Sequence, residues 1–146
     1  MSAALLDVNV LIALLDRRHI HHDQAHTWLA QSAPRPWASC PITENAVLRI
    51  LGNPRYPNSP GPPAVVAPLL QGWRALPRHR FWADGLSLLE SGLVRIDRLL
   101  DPAQLTDAYL LALAVHHGGH LVTLDRRLQA ELVEGGREAL VVLDGT

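Results

Sequence analysis

Ala3-Ala4-Leu5-Leu6-Asp7-Val8-Asn9 is an apolar run near the N-terminus that stops on a carboxylate. A short continuous apolar run of this kind predicts a strand buried on both faces, as the strands of parallel sheets are. A side chain at the C-terminal end of such a strand opens onto the crevice where α/β proteins bind their ligands. Asp7 is therefore the first candidate for a functional residue.

The same arrangement recurs near the other end of the chain. His120-Leu121-Val122-Thr123-Leu124-Asp125 is again short and mostly apolar, and it also ends on an aspartate. Because parallel strands end at the same edge of a sheet, two strands that each deliver a carboxylate predict an acidic pocket at that edge.

Strand and helix patterns alternate over the rest of the sequence. Helices are predicted at residues 8–15, 21–32, 44–51, 64–76, 86–90, 107–117 and 126–133, and further strands at residues 37–40, 78–82 and 139–143. Thr43 and Thr106 are the expected N-caps of two helices, and Pro68 marks the expected first turn of another. The alternation predicts an α/β domain with a parallel sheet, helices on both faces and right-handed crossovers.

The composition is that of one ordinary globular domain spanning residues 1–146. Hydrophobic residues make up 48% and charged residues 18% of the chain, and the longest apolar runs are too short to cross a bilayer. No cationic segment precedes an apolar stretch at the N-terminus, so we expect no signal peptide and a cytoplasmic location. Cys40 is the only cysteine, which excludes an internal disulfide and predicts a small core residue.

The charged residues count against several classes of function. The formal net charge is −1, so no overall basic field indicates a nucleic-acid partner. All 13 residues of the Lys and Arg class are arginine. The missing lysine counts against an aspartyl-phosphate phosphatase of the haloacid dehalogenase type, a response-regulator receiver and a P-loop nucleotide site. The phosphatase, which stays as an alternative enzyme, would also need a second acid where Asn9 stands.

Four carboxylates share one kind of position, at a strand end or in the first turn of a predicted helix: Asp7, Glu44, Asp107 and Asp125. Each alone has a structural explanation, because acids cap free N–H groups and favour the helix dipole. Several carboxylates at one edge repel each other unless a cation joins them, and oxygen ligands suit Mg²⁺ or Mn²⁺. The chemistry that this implies is metal-assisted hydrolysis of a phosphodiester.

Four segments carry a resemblance to a known family: residues 5–11 (LLDVNVL), 43–45 (TEN), 105–110 (LTDAYL) and 122–125 (VTLD). In this order and at these intervals they resemble the motifs of PIN-domain ribonucleases, specifically the VapC toxins of type II toxin–antitoxin systems. The resemblance implies a three-layer α/β/α domain with a central, mostly parallel sheet. It also implies a Mg²⁺- or Mn²⁺-dependent endoribonuclease acting on single-stranded or looped RNA, a homodimer, and a cognate antitoxin that blocks the site.

The resemblance also assigns roles to individual residues. It makes the four carboxylates the catalytic and metal-site acids, Asn9 the polar residue beside the first acid, and Thr123 the hydroxyl that orients the fourth motif. Our hypothesis is that Asp7 and Asp107 are the main ligands, Glu44 a ligand or water-positioning base, and Asp125 a direct or water-mediated ligand. A PIN-like interaction module without catalysis is the other alternative.

Three further stretches have competing explanations. Arg78 and Arg80 beside Phe81 and Trp82 predict either an RNA contact or an edge strand with solvated arginines. The proline-rich residues 54–63 predict a loop that is either a substrate-facing lid or a plain connector. The four histidines at positions 19, 21, 22 and 26 indicate either a zinc site or a polar helix start. Arg49 is too far along its helix from Glu44 to join the site.

Overall fold

The computed structural model describes residues 1–143, and its centre is a parallel sheet. The strands are β1 (Ala4–Leu6), β2 (Trp37–Ser39), β3 (His79–Phe81), β4 (His120–Thr123) and β5 (Leu140–Val142). They lie in the order β3-β2-β1-β4-β5, and every pair of neighbours is parallel. The α/β architecture expected from the sequence is thus confirmed, with β1 in the middle of the sheet.

Helices cover both faces of this sheet. They are α1 (Val8–Leu15), α2 (His22–Gln31), α3 (Pro41–Leu51), α4 (Pro63–Arg74), α5 (Leu105–His116) and the short α6 (Gly136–Ala139). Leu5 and Leu121 point into a core formed with α5, whereas the following residues, Leu6 and Val122, point into a core formed with α1 to α4. This alternation is what the period of two residues in a strand requires. The result is the three-layer α/β/α arrangement.

Several helix starts differ from the sequence prediction. Helix α3 begins at Pro41 rather than Glu44, with Cys40 as its N-cap and Thr43 completing a capping box from inside the first turn. Helix α5 begins at Leu105, after Gln104, so Thr106 is not its cap. Pro68 lies inside α4 and not in its first turn. In each case a short 3-10 turn or a proline adds a turn that periodicity alone does not reveal.

Two predicted helices are absent. Residues 126–133 form turns and a 3-10 helix at Ala130–Leu132, and residues 86–90 form turns only. Both segments lack the length of continuous apolar periodicity that stabilises an α-helix by packing. Over the described residues 1–143, no helix is long and apolar enough to cross a membrane.

The proline-rich loop packs at the end of α1 that lies away from Asp7. Its Tyr56 hydroxyl and Asn58 amide donate to the Asp16 carboxylate at 2.6 and 3.0 Å, and Asp16 is the C-cap of α1. Asp7 is the N-cap of the same helix, about 14 Å away at a rise of about 1.5 Å per residue. The loop is therefore fastened to the far end of α1, which favours the connector interpretation over the substrate-facing lid.

The histidines near α2 also have structural partners. The His22 ring bonds the carbonyl of Ala13 at 2.7 Å, and the His26 ring bonds the carbonyl of Leu14 at 3.0 Å. These carbonyls belong to the last turn of α1, where no intrahelical donor reaches them. Among residues 1–143, no group of three or more His, Cys, Asp or Glu side chains is arranged to hold a metal ion, these histidines included. The polar-helix interpretation accounts for their positions.

Candidate metal centre

Asp7 stands just past the end of β1 and caps α1. One carboxylate oxygen accepts the backbone N–H of Val8 at 2.7 Å, and the other accepts the Thr123 hydroxyl at 2.7 Å. The side chain is buried, with the whole residue 6% exposed. Desolvation raises the pKa of Asp7, and the charge of Asp125 adds to the rise, against the two hydrogen bonds. The sequence placed this carboxylate at the end of a buried strand, and the structure agrees.

Thr123, at the end of β4, joins Asp7 to the neighbouring chain segment. Its fully buried hydroxyl donates to Asp7 and accepts from the Asn9 amide at 3.2 Å and the Asp125 backbone N–H at 3.1 Å. The side-chain carbonyl of Asn9 in turn accepts a hydrogen bond from the backbone N–H of Leu124 at 3.1 Å. These bonds bridge positions more than a hundred residues apart in sequence, and they fix the Asp7 carboxylate relative to the turn that carries Asp125.

The third acid, Asp107, lies in the first turn of α5. The helix is held in place because Ala108 to Ala114 are all buried. Burial, followed by the charges of Asp7 and Asp125, raises the pKa of Asp107 to about 6. The tertiary structure thus brings three of the four predicted acids within electrostatic range of one another.

The ion pairs among residues 1–143 offset little of the negative charge of this group. Within residues 1–143, neither Asp7 nor Asp107 forms an ion pair. Asp125 pairs with Arg127 at 3.5 Å, but the Arg127 side chain is 93% exposed and such pairs contribute little. Carboxylates that resist ionisation because they face each other are stabilised by a bound cation.

A hard divalent ion fits this set of donors. All of the donors are carboxylate oxygens, which Mg²⁺ and Mn²⁺ prefer. As for the histidines, no group of three or more His, Cys, Asp or Glu side chains among residues 1–143 is arranged to hold a metal ion, and this includes the aspartates. Mg²⁺ does not require such a group, because it usually keeps several coordinated waters and binds only one or two protein carboxylates.

The raised pKa of Asp107 predicts a pH effect on the metal-free protein. The folded chain holds this proton up to about pH 6, whereas the unfolded carboxyl titrates near 3.8. Folding stability is therefore greater below that range and loses this contribution as the pH rises through about 6. In EDTA, we expect Asp107→Asn to raise Tm by roughly a few degrees above pH 6, and this gain to shrink at lower pH.

Thermal denaturation of both proteins across this pH range measures the effect. Glu134→Gln is the control, because Glu134 is exposed, and this variant should show no gain that grows with pH. An Asp107→Asn gain that is constant with pH would contradict the electrostatic coupling.

Glu44 lies in a different environment at the same edge of the sheet. Its carboxylate accepts the Ser39 hydroxyl at 2.6 Å and pairs with Arg74 at 3.2 Å, and Arg74 lies over the Phe81 ring at 4.9 Å. Glu44 is not among the charges that shift the pKa of Asp7 or Asp107. The structure does not bring this fourth acid into the aspartate group.

Strand alternation explains this separation. On β2, Ala38 faces the α5 core and Trp37 faces the α1 to α4 core. Ser39 therefore shares the face of Trp37 and meets Glu44 on the side of α3 and α4. Asp107 stands on α5, across the sheet. Ser39 and Arg74 were missed by sequence reasoning; the only local signal was the position of Ser39 at the end of a strand.

The Arg78 guanidinium is already bonded within the protein, which favours a structural role for this residue over an RNA contact. Its guanidinium donates to the backbone carbonyls of Arg35 and Leu29 and to the Ser32 hydroxyl, at 2.7 to 3.1 Å. Arg78 also precedes β3 and so lies at the opposite edge of the parallel sheet from Asp7. Arg80 is exposed and bonds the nearby carbonyls of Pro77 and His79.

A cleft opens beside the aspartates. It has a volume of about 290 Å³, and Asp107 and Asp125 form part of its wall together with Gln104, Gln129 and Arg127. This cleft was not predictable from the sequence, because its lining residues come from the start of α5 and from the turns after β4.

Comparison with known proteins places these features in a family context. The PIN domain family model matches residues 4–132. The chain is 47% identical over 132 residues to Ribonuclease VapC44 of Mycobacterium tuberculosis, covering 90% of this chain and 92% of that protein. It is 38% identical over 137 residues to Ribonuclease VapC39 of the same organism (94% and 99% covered). It is also 40% identical over 122 residues to Ribonuclease VapC38 (84% of each).

Proposed function

Because this chain belongs to the PIN-domain family and to the VapC ribonucleases within it, we propose that it is a divalent-metal-dependent endoribonuclease and the toxin of a toxin–antitoxin pair. It hydrolyses phosphodiester bonds in single-stranded or looped RNA, and one PIN domain spans residues 1–146. The observation that carries the proposal is the electrostatic coupling of Asp7, Asp107 and Asp125, with neither Asp7 nor Asp107 in an ion pair among residues 1–143.

The metal site is proposed on these three aspartates. Asp7 and Asp107 are the main ligands of Mg²⁺, with Mn²⁺ as a substitute, and Asp125 is a direct or water-mediated ligand. When bound, such an ion lowers the pKa of a water molecule and stabilises negative charge on the phosphate oxygens.

Asn9 and Thr123 are proposed as positioning residues. Their hydrogen bonds to Asp7, to each other and to the backbone at Leu124 and Asp125 hold the carboxylates in fixed orientations. Fixed ligand orientation is what such outer hydrogen bonds contribute to metal sites.

Glu44 is proposed as a metal ligand or water-positioning base that must first exchange its partner. Its present partner, Arg74, has a side chain that is 41% exposed. A partly exposed ion pair of this kind is weak and breaks at little cost. An RNA phosphate that takes over the Arg74 guanidinium would release the Glu44 carboxylate.

The partners follow from the family and are proposals here. They are an RNA substrate, a cognate antitoxin protein that blocks the acidic site, and a second copy of the chain in a homodimer. The exposed Arg80 is a proposed RNA contact, and the proposed location is the cytoplasm, where RNA is available.

RNA cleavage by the purified protein tests the proposal. We expect fragments from single-stranded RNA in the presence of Mg²⁺ or Mn²⁺, their loss with EDTA, and their return when the ion is added back. Asp7→Asn protein purified in the same way excludes a contaminating nuclease. A folded wild-type protein that leaves RNA intact with either ion would favour the catalytically silent interaction module.

A further inference from the structure

The cleft beside the aspartates has walls of unlike chemistry. Its lining includes the carboxylates of Asp107 and Asp125 and also the apolar side chains of Ala108, Leu128 and Leu132. Its volume of about 290 Å³ is at the lower end of the range of roughly 300–1,000 Å³ that is typical of small-molecule sites. A cleft of this size has room for one ring system and not for an extended ligand.

Two carboxamides face each other in this cleft. The Gln104 amide donates to the Gln129 carbonyl at 2.9 Å. The Gln104 side-chain oxygen is shielded from solvent and accepts no hydrogen bond from any described residue. Turning both amides over exchanges donor and acceptor, and it still leaves Gln104 with one unused polar group. A rotation of the Gln104 side chain would bring this group into the cleft that the residue lines, where a ligand can supply the missing partner.

A nucleobase has the properties that this cleft requires. It is planar, its faces pack against aliphatic side chains, and its edge carries the donors and acceptors that glutamine carboxamides pair with. Arg127 lines the same cleft with a largely exposed guanidinium, which can stack on a base or bind a phosphate.

We propose that this cleft binds the nucleobase adjacent to the scissile phosphate and that Gln104 and Gln129 read its edge. The inference rests on the proposed ribonuclease function, since Asp107 and Asp125 form a wall common to the cleft and the metal centre. A base bound here lies next to the phosphate that the aspartates act on. Gln104 and Gln129 are then specificity-determining residues, without a direct part in the chemical step.

Cleavage of matched oligonucleotides tests this inference. The cleavage position is mapped first, and oligonucleotides are then varied through A, C, G and U on each side of it. We expect Gln104→Leu to reduce the ratio of kcat/KM between the best and worst base by about tenfold at one of the two positions. Gln129→Leu should reduce the ratio at the same position. Because Gln129 is exposed, Gln129→Leu should fold. It replaces Gln104→Leu in the test if that variant does not fold.

Gln71→Leu is the matched control, because Gln71 is exposed on α4, on the other side of the sheet. It should leave the base preference as it is in the wild type. The inference is overturned if both cleft variants keep the wild-type ratio, whatever happens to the absolute rate.

A separate measurement distinguishes this failure from failure of the ribonuclease function. If the wild type cleaves no RNA, the fluorescence anisotropy of short A, C, G and U homopolymers reports binding without catalysis. Unequal affinities that become more equal in Gln104→Leu support the base site. Equal affinities in wild type and variant overturn it.

Discussion

Replacing Asp7 with asparagine is expected to lower kcat/KM for RNA cleavage by about a thousandfold while the protein stays folded. Asparagine has nearly the same shape, and its carbonyl can still accept from Val8 or Thr123. It removes the charge that a divalent cation requires. Because burial and Asp125 disfavour the charged form of Asp7, the variant should melt at an equal or higher temperature than the wild type in EDTA.

Asp16→Asn is the matched control, since Asp16 is buried at the other end of α1. Burial alone would raise the pKa of Asp16, but hydrogen bonds from Tyr56, Asn58 and the Arg18 N–H outweigh it and lower the pKa. Neutralising this carboxylate should therefore lower Tm and leave cleavage intact. Cleavage rates and melting curves of both variants give the comparison. Activity retained by folded Asp7→Asn protein would contradict the proposed metal site.

Thr123→Val is expected to reduce metal affinity or activity by about 10- to 100-fold. Valine fills the same volume in this fully buried position but has no hydroxyl. Asp7 then loses a donor, and the Asn9 amide and the Asp125 N–H lose their acceptor. Leaving such groups unpaired should also cost about 1–3 kcal/mol of folding free energy. Titration with Mn²⁺, followed by cleavage or by Tm, measures the effect on the metal.

The variant Thr43→Val distinguishes a loss of folding stability from a loss of metal affinity. Thr43 is equally buried, and among residues 1–143 its hydroxyl bonds Cys40 alone, in the capping box of α3. A similar loss of stability without a loss of metal affinity is expected there. Thr123→Ser, which restores the hydroxyl, should recover most of the activity. If both valine variants retained wild-type affinity for Mn²⁺, Thr123 would have no positioning role.

Much of the sheet was predictable because its signals are local. The runs before Asp7 and Asp125 are short and apolar, and both form central strands, β1 and β4. The apolar stretch from residue 107 onward predicted a buried helix, and α5 is one. The helix predicted at residues 126–133 was wrong, because the short apolar spacing of this segment also suits a 3-10 turn packed against α6.

The candidate site was predictable in part for the same reason. Asp7, Asp107 and Asp125 each follow or begin an element whose direction the sequence reveals. Glu44 has the same local signature, yet it pairs with Arg74. The partners of Arg78 could not be predicted either, because the carbonyls of Leu29 and Arg35 come near this residue only in the folded chain.

The sequence by itself determined the alternation of strands and helices and the family, and it predicted four carboxylates at one edge of the sheet. It could do so because hydrophobic periodicity and the position of a residue after a strand are properties of neighbouring residues. Only the tertiary structure decided which carboxylates meet, which arginines are already occupied, and that Gln104 and Gln129 line one cleft. Those outcomes depend on the face to which each side chain points and on contacts between segments far apart in the chain, and no local pattern encodes either.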